Sequence, residues 1–196
     1  MDLYKYKNYA EYVESQNTAF HLKHSRNWVT DIELGIIADY IIQKYGTPKF
    51  VICHGARNGY EVLSLGGFFG RDTTIIGTDI GEWAEKIEYM IRHDFHDMRE
   101  EWRDKVDLIY SNSLDHAWDP ELAIKTWLSC LTKDGLLLVH WANSHKKGNA
   151  KSVDCFIATW DEYNEMLGRL GTVVEWKPIS ILKCGGIFIV IRRIYD

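Results

Sequence analysis

Proline is scarce, with three residues in a chain of 196, at positions 48, 120 and 178. No proline-rich or low-complexity stretch is therefore present to act as an interdomain linker. The four cysteines, at 53, 130, 155 and 184, lie far apart and form no Cys-x-x-Cys pair. That spacing gives no zinc-ribbon pattern and no dense disulfide framework, and it fits buried free thiols in a reducing compartment. Long apolar runs are missing too: the longest uninterrupted aliphatic and aromatic run is Ile187 to Ile191, against the roughly 20 residues that span a bilayer. The opening Met1-Asp-Leu-Tyr-Lys-Tyr-Lys lacks the apolar core of a signal peptide. A soluble cytoplasmic protein with no membrane partner is the expectation. An excess of positive charge is also absent, since the formal net charge is -5, so nucleic acid gains no general attraction. The short basic run Lys146-Lys147 with Lys151 reads as a solvated loop.

What is present is apolar and aromatic material. Hydrophobic residues make up 46% of the chain, including eight Trp and eleven Tyr, enough for a sizeable core. With no repeats and no linker, residues 1–196 are expected to form a single domain.

Short apolar runs alternate with longer helical patterns. Strands are expected at Phe50–Cys53, Thr74–Thr78, Tyr89–Arg92, Val106–Tyr110, Leu136–His140, Val173–Lys177 and Ile187–Arg192. The early runs are apolar at nearly every position, as when helices cover both faces of a parallel sheet. Thr30-x-x-Glu33 reads as a capping box for a helix that stops at Gly46, with an apolar stripe of Ile32, Ile36, Ile37, Tyr40 and Ile41. Asp119-Pro120 supplies an N-cap and a first-turn proline. Thr159-x-x-Glu162 is a second box, and its helix runs to Gly171. The last two strands are too close for a crossover helix, so they are expected to be antiparallel neighbours. The fold class is α/β: a doubly wound, Rossmann-like, mostly parallel seven-stranded sheet closed by a C-terminal antiparallel hairpin. Residues 1–29 fall outside the alternation and are expected to form an N-terminal helical cap or lid.

One passage carries chemistry. Phe50-Val-Ile-Cys-His-Gly-Ala-Arg-Asn-Gly-Tyr-Glu-Val-Leu63 reads as a strand, a loop with glycines at 55 and 59, and a helix. Glycines there let a ligand approach the backbone. The next strand ends on Asp79, an acid placed to take both hydroxyls of a ribose. A nucleoside-containing cofactor is the inference.

These residues resemble the class I S-adenosylmethionine-dependent methyltransferases. The likeness rests on His54-Gly-Ala-Arg-Asn-Gly59, Gly77-Thr-Asp79-Ile80, His93-Asp-Phe-His-Asp97 and Tyr110-Ser-Asn-Ser-Leu-Asp-His-Ala-Trp-Asp-Pro120, taken in order, and covers roughly residues 48 to 192. The resemblance implies that His54, Gly55, Ala56, Arg57 and Gly59 form the loop that meets the methionine portion of S-adenosylmethionine. It implies that Asp79 holds the ribose, that Ile80 lies on the adenine, and that Asp94 and the Phe95 amide meet the adenine edge. Asn112 is expected at the cofactor as well, and S-adenosylhomocysteine would be the product. Two positions depart from the family pattern: Cys53 stands where an acid is usual, and Arg57 replaces the middle glycine. This Gly-x-Arg-x-Gly-x-Glu loop resembles a variant found among small methyltransferase-like proteins. Arg57 would turn away from the cofactor, turn toward its carboxylate, or pair with Glu61 four positions on.

Methyl transfer needs an aligned acceptor, and a general base where that acceptor is protonated. Polar residues collect after the fourth and fifth expected strands: Asn112, Asp115, His116, then His140, Trp141, Asn143 and His145. His116 and His140 are the candidate bases, because histidine titrates near neutrality. No metal site is expected. The Asn- or Asp-Pro-Pro-aromatic motif of enzymes that methylate exocyclic amines is absent, and no second domain is available for a polymer. The expected partner is a small-molecule acceptor. Two other readings stand beside this one. A dinucleotide-binding oxidoreductase would need glycines at 55, 57 and 60, where 57 is Arg and 60 is Tyr. A methyltransferase fold without activity, serving as a scaffold or binding partner, is the other.

Overall fold

The computed structural model describes residues 1–142, 150–179 and 186–194. Asn143, His145, Lys146, Lys147 and Cys184 lie outside the described residues.

Seven strands form one sheet. In chain order they are β2 (Phe50–His54), β3 (Thr74–Asp79), β4 (Met90–Arg92), β5 (Val106–Ser111), β6 (Leu131–Ala142), β8 (Thr172–Ile179) and β9 (Gly186–Arg192). Their spatial order is β4-β3-β2-β5-β6-β9-β8. Every pair from β4 to β6 is parallel, whereas β9 runs antiparallel to both β6 and β8, as the expected hairpin requires. The chain leaves β2 toward β3 on one side and later returns to β5 on the other. This reversal of winding direction opens a crevice at the carboxyl ends of the strands.

Strand alternation explains the continuous apolar runs. Val51, Cys53, Leu108, Tyr110, Leu138 and Val190 face one layer, packed with Leu34, Ile37, Ala38 and Ile41 of helix α2 (Asp31–Tyr45) and Leu65 of α3 (Tyr60–Phe69). Ile52, Ile109, Leu137, Val139, Ile189 and Ile191 face the other, packed with Ile124, Trp127 and Leu128 of α4 (Pro120–Cys130) and Met166 and Leu167 of α5 (Trp160–Leu170). The central strands β2 and β5 bury both of their faces, and a fully buried side chain of this size contributes roughly 1.5–3 kcal/mol.

Both capping boxes form: Thr30 with Glu33 starts α2, and Thr159 with Glu162 starts α5. The apolar stripe of α2 needs correction. Ile32 and Ile36 are exposed, and the buried face is Leu34, Ile37, Ala38 and Ile41, the spacing of one helical side. β6 begins five residues before its expected start, because Leu131 pairs with Val106 ahead of a register shift to Leu136 opposite Leu108. Cys53, Cys130 and Cys155 are buried free thiols, and burial raises the pKa of each.

The first 29 residues hold more than a helix. β1 (Asp2–Leu3) pairs antiparallel with β7 (Phe156–Ile157), and α1 (Tyr9–Lys23) follows. Asn8 caps α1 by accepting from the Glu11 amide at 3.0 Å. The helix is then laid across the carboxyl ends of the strands by long-range bonds. Tyr6 Oη and Ser15 Oγ donate to Ser152 O at 2.6 and 2.5 Å, and Lys23 pairs with Asp154 at 2.5 Å. Among the described residues, no helix is long and apolar enough to cross a membrane.

Candidate functional site

The crevice at the strand ends holds a cavity between the sheet and α1. Its sheet side is formed by Gly55, Arg57, Asp79, Ile80, Asp94, Phe95, Ser113 and His116. Its roof is one face of α1, through Tyr12, Gln16, Ala19 and Phe20.

The loop after β2 packs closely on the loop after β5. Gly55 adopts φ +68°, and a Cβ there would lie 2.5 Å from Ser113 Cβ and 2.8 Å from Ser113 Oγ. Only glycine fits that backbone and that space. Ser113 Oγ in turn donates to Gly55 O at 3.0 Å. Gly59, at φ +76°, occupies the N-cap of α3, and Asn58 Oδ1 takes up the Tyr60 amide at 3.2 Å. Arg57 has a left-handed backbone of its own, at φ +41°.

Asp79 ends β3 and faces this loop. Its Oδ2 accepts from the Arg57 amide at 3.0 Å, and its Oδ1 accepts from the Gly81 amide at 2.9 Å. Burial raises its pKa, and the two amides pull the other way. Each oxygen thus has one protein donor and retains acceptor capacity on the cavity side. Two such acceptors side by side can receive a pair of hydroxyls.

Asp94 is engaged differently. Oδ1 accepts from the His96 amide at 2.9 Å and lies 2.6 Å from His96 Nδ1, while Oδ2 accepts from Tyr9 Oη at 2.6 Å. Burial pushes its pKa up, but His96 and Tyr9 outweigh that and hold it below the usual carboxylate range. Phe95 is fixed by its carbonyl, which accepts from Trp127 Nε1 at 2.9 Å.

His116 lines the cavity as well. Its Nδ1 lies 2.8 Å from Gln16 Oε1, and the Gln16 amide nitrogen is turned toward Ser15 Oγ and Ser152 O, each at 3.4 Å. With the amide so oriented, Nδ1 is the protonated nitrogen and donates. Nε2 then carries the lone pair, with Asp154 Oδ1 at 3.6 Å and Asp115 Oδ2 at 3.9 Å. Burial lowers the His116 pKa, against the raising effect of Asp115.

The remaining expected residues sit elsewhere. The His54 side chain turns into the α4 layer, stacked on Trp127 at 5.1 Å with Nδ1 2.8 Å from Thr78 Oγ1, and it does not line the cavity. Burial first, then His93 and His96, hold its pKa down at about 3. Ala56 is buried and donates its amide to Thr78 O at 2.9 Å. Asn112 supports the loop by donating to Glu61 Oε1 at 3.2 Å, and burial raises the Glu61 pKa. Arg57 does not pair with Glu61: its Nη1 donates to Arg26 O at 3.1 Å and Lys23 O at 3.4 Å. His140 lies within β6 opposite Phe188 and is not a cavity residue.

Sequence reasoning missed the α1 face. Tyr12, Gln16 and Ala19 are spaced by four and three, the signature of one helical side, and that spacing was available to find them. Tyr9, Ser113 and Asp154 carried no such signal.

No protein-family model matches the sequence, and no curated protein matches it. Solved structures do. The Burkholderia thailandensis 1,6-didemethyltoxoflavin-N1-methyltransferase, solved with 1,6-didemethyltoxoflavin and S-adenosylhomocysteine, superposes with a TM-score of 0.73 at 14% identity over 98% of this chain and 93% of that one. The mitomycin 7-O-methyltransferase MmcR gives 0.71 at 15% identity, over 96% of this chain and 61% of that one. The [4+2]-cyclase SpnF gives 0.65 at 11% identity, over 95% and 94%. At these identities the likeness speaks for architecture, and the architecture is that of the class I methyltransferases.

Proposed function

We propose that this chain is an S-adenosylmethionine-dependent methyltransferase acting on a small molecule, with residues 1–196 working as one domain. Asp79 carries the reading. Its two oxygens are aimed by the Arg57 and Gly81 amides, with acceptor capacity left toward the cavity. A ribose diol is the ligand chemistry that suits such a pair. Gly55, crowded by Ser113, leaves bare backbone where the methionine portion would run, and Ile80 and Phe95 offer apolar faces for the adenine. Asp94 would meet the adenine amine through the lone pairs that Tyr9 and His96 do not use. When bound, the cofactor supplies a methyl group on a positively charged sulfur.

The chain's own residues then align the acceptor and manage its proton. The cavity is enclosed on one side by the sheet ends and on the other by α1, a roof that favours a small molecule over a polymer. His116 is the base this reading takes, because His140 stands away from the cavity. Gln16 fixes its Nδ1–H, Nε2 receives the acceptor's proton, and the carboxylates of Asp115 and Asp154 stabilise the imidazolium. The test is calorimetric titration with S-adenosylmethionine, S-adenosylhomocysteine and NAD. Saturable binding of the first two supports the proposal, and binding of NAD alone overturns it.

A second reading has its own support. Cys53 in place of the usual acid, and a likeness to a cyclase, favour a methyltransferase fold serving another role. That reading predicts cofactor binding without methyl transfer to any acceptor, or no binding.

A further inference from the structure

Arg57 is the residue at which the loop departs from a glycine, and its backbone explains what that departure costs. At φ +41° a non-glycine residue sits in a region that L side chains rarely adopt. Strain of this kind persists where the surroundings hold it in place. Here both ends of the residue are held. Its amide donates to Asp79 Oδ2 at 3.0 Å, on the proposed ribose side. Its guanidinium leaves the cavity and donates to Arg26 O and Lys23 O, just where α1 ends.

The carbonyl of Lys23 that Arg57 reaches also accepts from the Arg26 amide at 2.9 Å. The last carbonyls of a helix lack intrahelical donors, and a cation there also meets the negative end of the helix dipole. Asn58, the next residue of the loop, reinforces the link by donating from Nδ2 to His24 O and Asn27 Oδ1, both at 3.0 Å. The same asparagine, just ahead of α3, accepts from the Tyr60 amide through Oδ1. Two consecutive loop residues thus tie the helix that roofs the cavity to the loop that floors it. At its first residue and its middle α1 is fastened to the far wall, by Tyr9 on Asp94 and Gln16 on His116.

We infer that Arg57 is a positioning residue that couples closure of α1 to cofactor occupancy at Asp79, so that cofactor binding draws the roof onto the site before the acceptor is committed. The inference rests on the cofactor reading above. A ligand on Asp79 fixes the carboxylate, the carboxylate fixes the Arg57 amide, and the left-handed backbone aims the guanidinium at the helix end. Glycine at this position would bind the loop equally well to Asp79 but would remove the guanidinium link to the end of α1, leaving Asn58 as the loop's remaining tie to it.

The test compares amide hydrogen exchange across Tyr9–Lys23, with and without saturating S-adenosylhomocysteine, in the wild type, Arg57→Asn and Arg57→Lys. Asparagine tolerates the left-handed backbone but cannot reach the helix end, while lysine restores one donor of the right charge. In the wild type the ligand should slow exchange in α1 by about tenfold or more, the size of an ordinary coupling between sites. In Arg57→Asn the slowing should fall below about twofold, with Arg57→Lys in between. If Arg57→Asn does not fold, Arg57→Gly carries the same expectation, since glycine takes φ +41° freely. Equal slowing in the wild type and the asparagine variant overturns the coupling, as does a wild type that binds the ligand by calorimetry with no change in α1. A wild type that fails to bind at all overturns the cofactor reading, and this inference falls with it.

Discussion

The backbone amide of Arg57 donates to Asp79 Oδ2 at 3.0 Å, joining the loop after β2 to the acid that ends β3. Parallel pairing makes this possible. β2 and β3 run in register from Phe50–Thr74 to His54–Thr78, so the residues just beyond both strands emerge side by side. A loop and an acid that are distant in sequence therefore meet at the lip of one cavity.

The fit of Gly55 against Ser113 gives a stability prediction. Gly55→Ala would place a Cβ 2.5 Å from Ser113 Cβ on a backbone at φ +68°. The expected loss is about 1–3 kcal/mol, read as a lower melting temperature. Ser113→Gly in the same chain removes the clash but not the backbone strain, so it should restore part of the loss. No restoration at all would contradict the packing account.

How much of this was legible in the sequence depends on the range of each interaction. Thr30 with Glu33 and Thr159 with Glu162 act within one helical turn, so both boxes could be read directly. Asp79 was legible because it ends an apolar run, and strand ends are where a parallel sheet presents its ligands. Composition could not say which side of α2 faces the sheet, and so Ile32 and Ile36 were misassigned. The engagement of Asp94 by Tyr9 spans 85 residues, and no periodic pattern announces it. β1 and β7 are two residues each, too short to show alternation. The orientation of His54 follows from strand parity: it shares a side with Ile52 and faces α4 rather than the cavity.

His54 should make the fold acid-sensitive. Its pKa is held at about 3 in the folded chain, against about 6.5 for a free histidine, so the unfolded state binds more protons between those values. Stability is then full above about pH 6.5 and falls as the pH drops toward 3, by up to about 1.4 kcal/mol per pH unit from this group. Replacing His54 by Phe should flatten that slope by about one proton in denaturant titrations run from pH 7 to pH 4. An unchanged slope would contradict a neutral, buried His54.

His116 should control the rate rather than the affinity for cofactor. His116→Asn is expected to lower methyl transfer to a hydroxyl or protonated amine acceptor by about a hundredfold or more. The wild-type rate should fall on acidification with an apparent pKa below that of a free histidine, because burial disfavours the charged ring. A variant that keeps the wild-type rate and profile would assign the proton to another group.

The central claim is that Asp79 holds the ribose of S-adenosylmethionine or its product. Isothermal titration of S-adenosylhomocysteine into the wild type and Asp79→Ala tests it most directly. The account predicts one saturable site in the wild type, weakened at least about tenfold in Asp79→Ala by loss of a charged acceptor. Equal affinity in both proteins, or binding of NAD in place of S-adenosylhomocysteine, would contradict it.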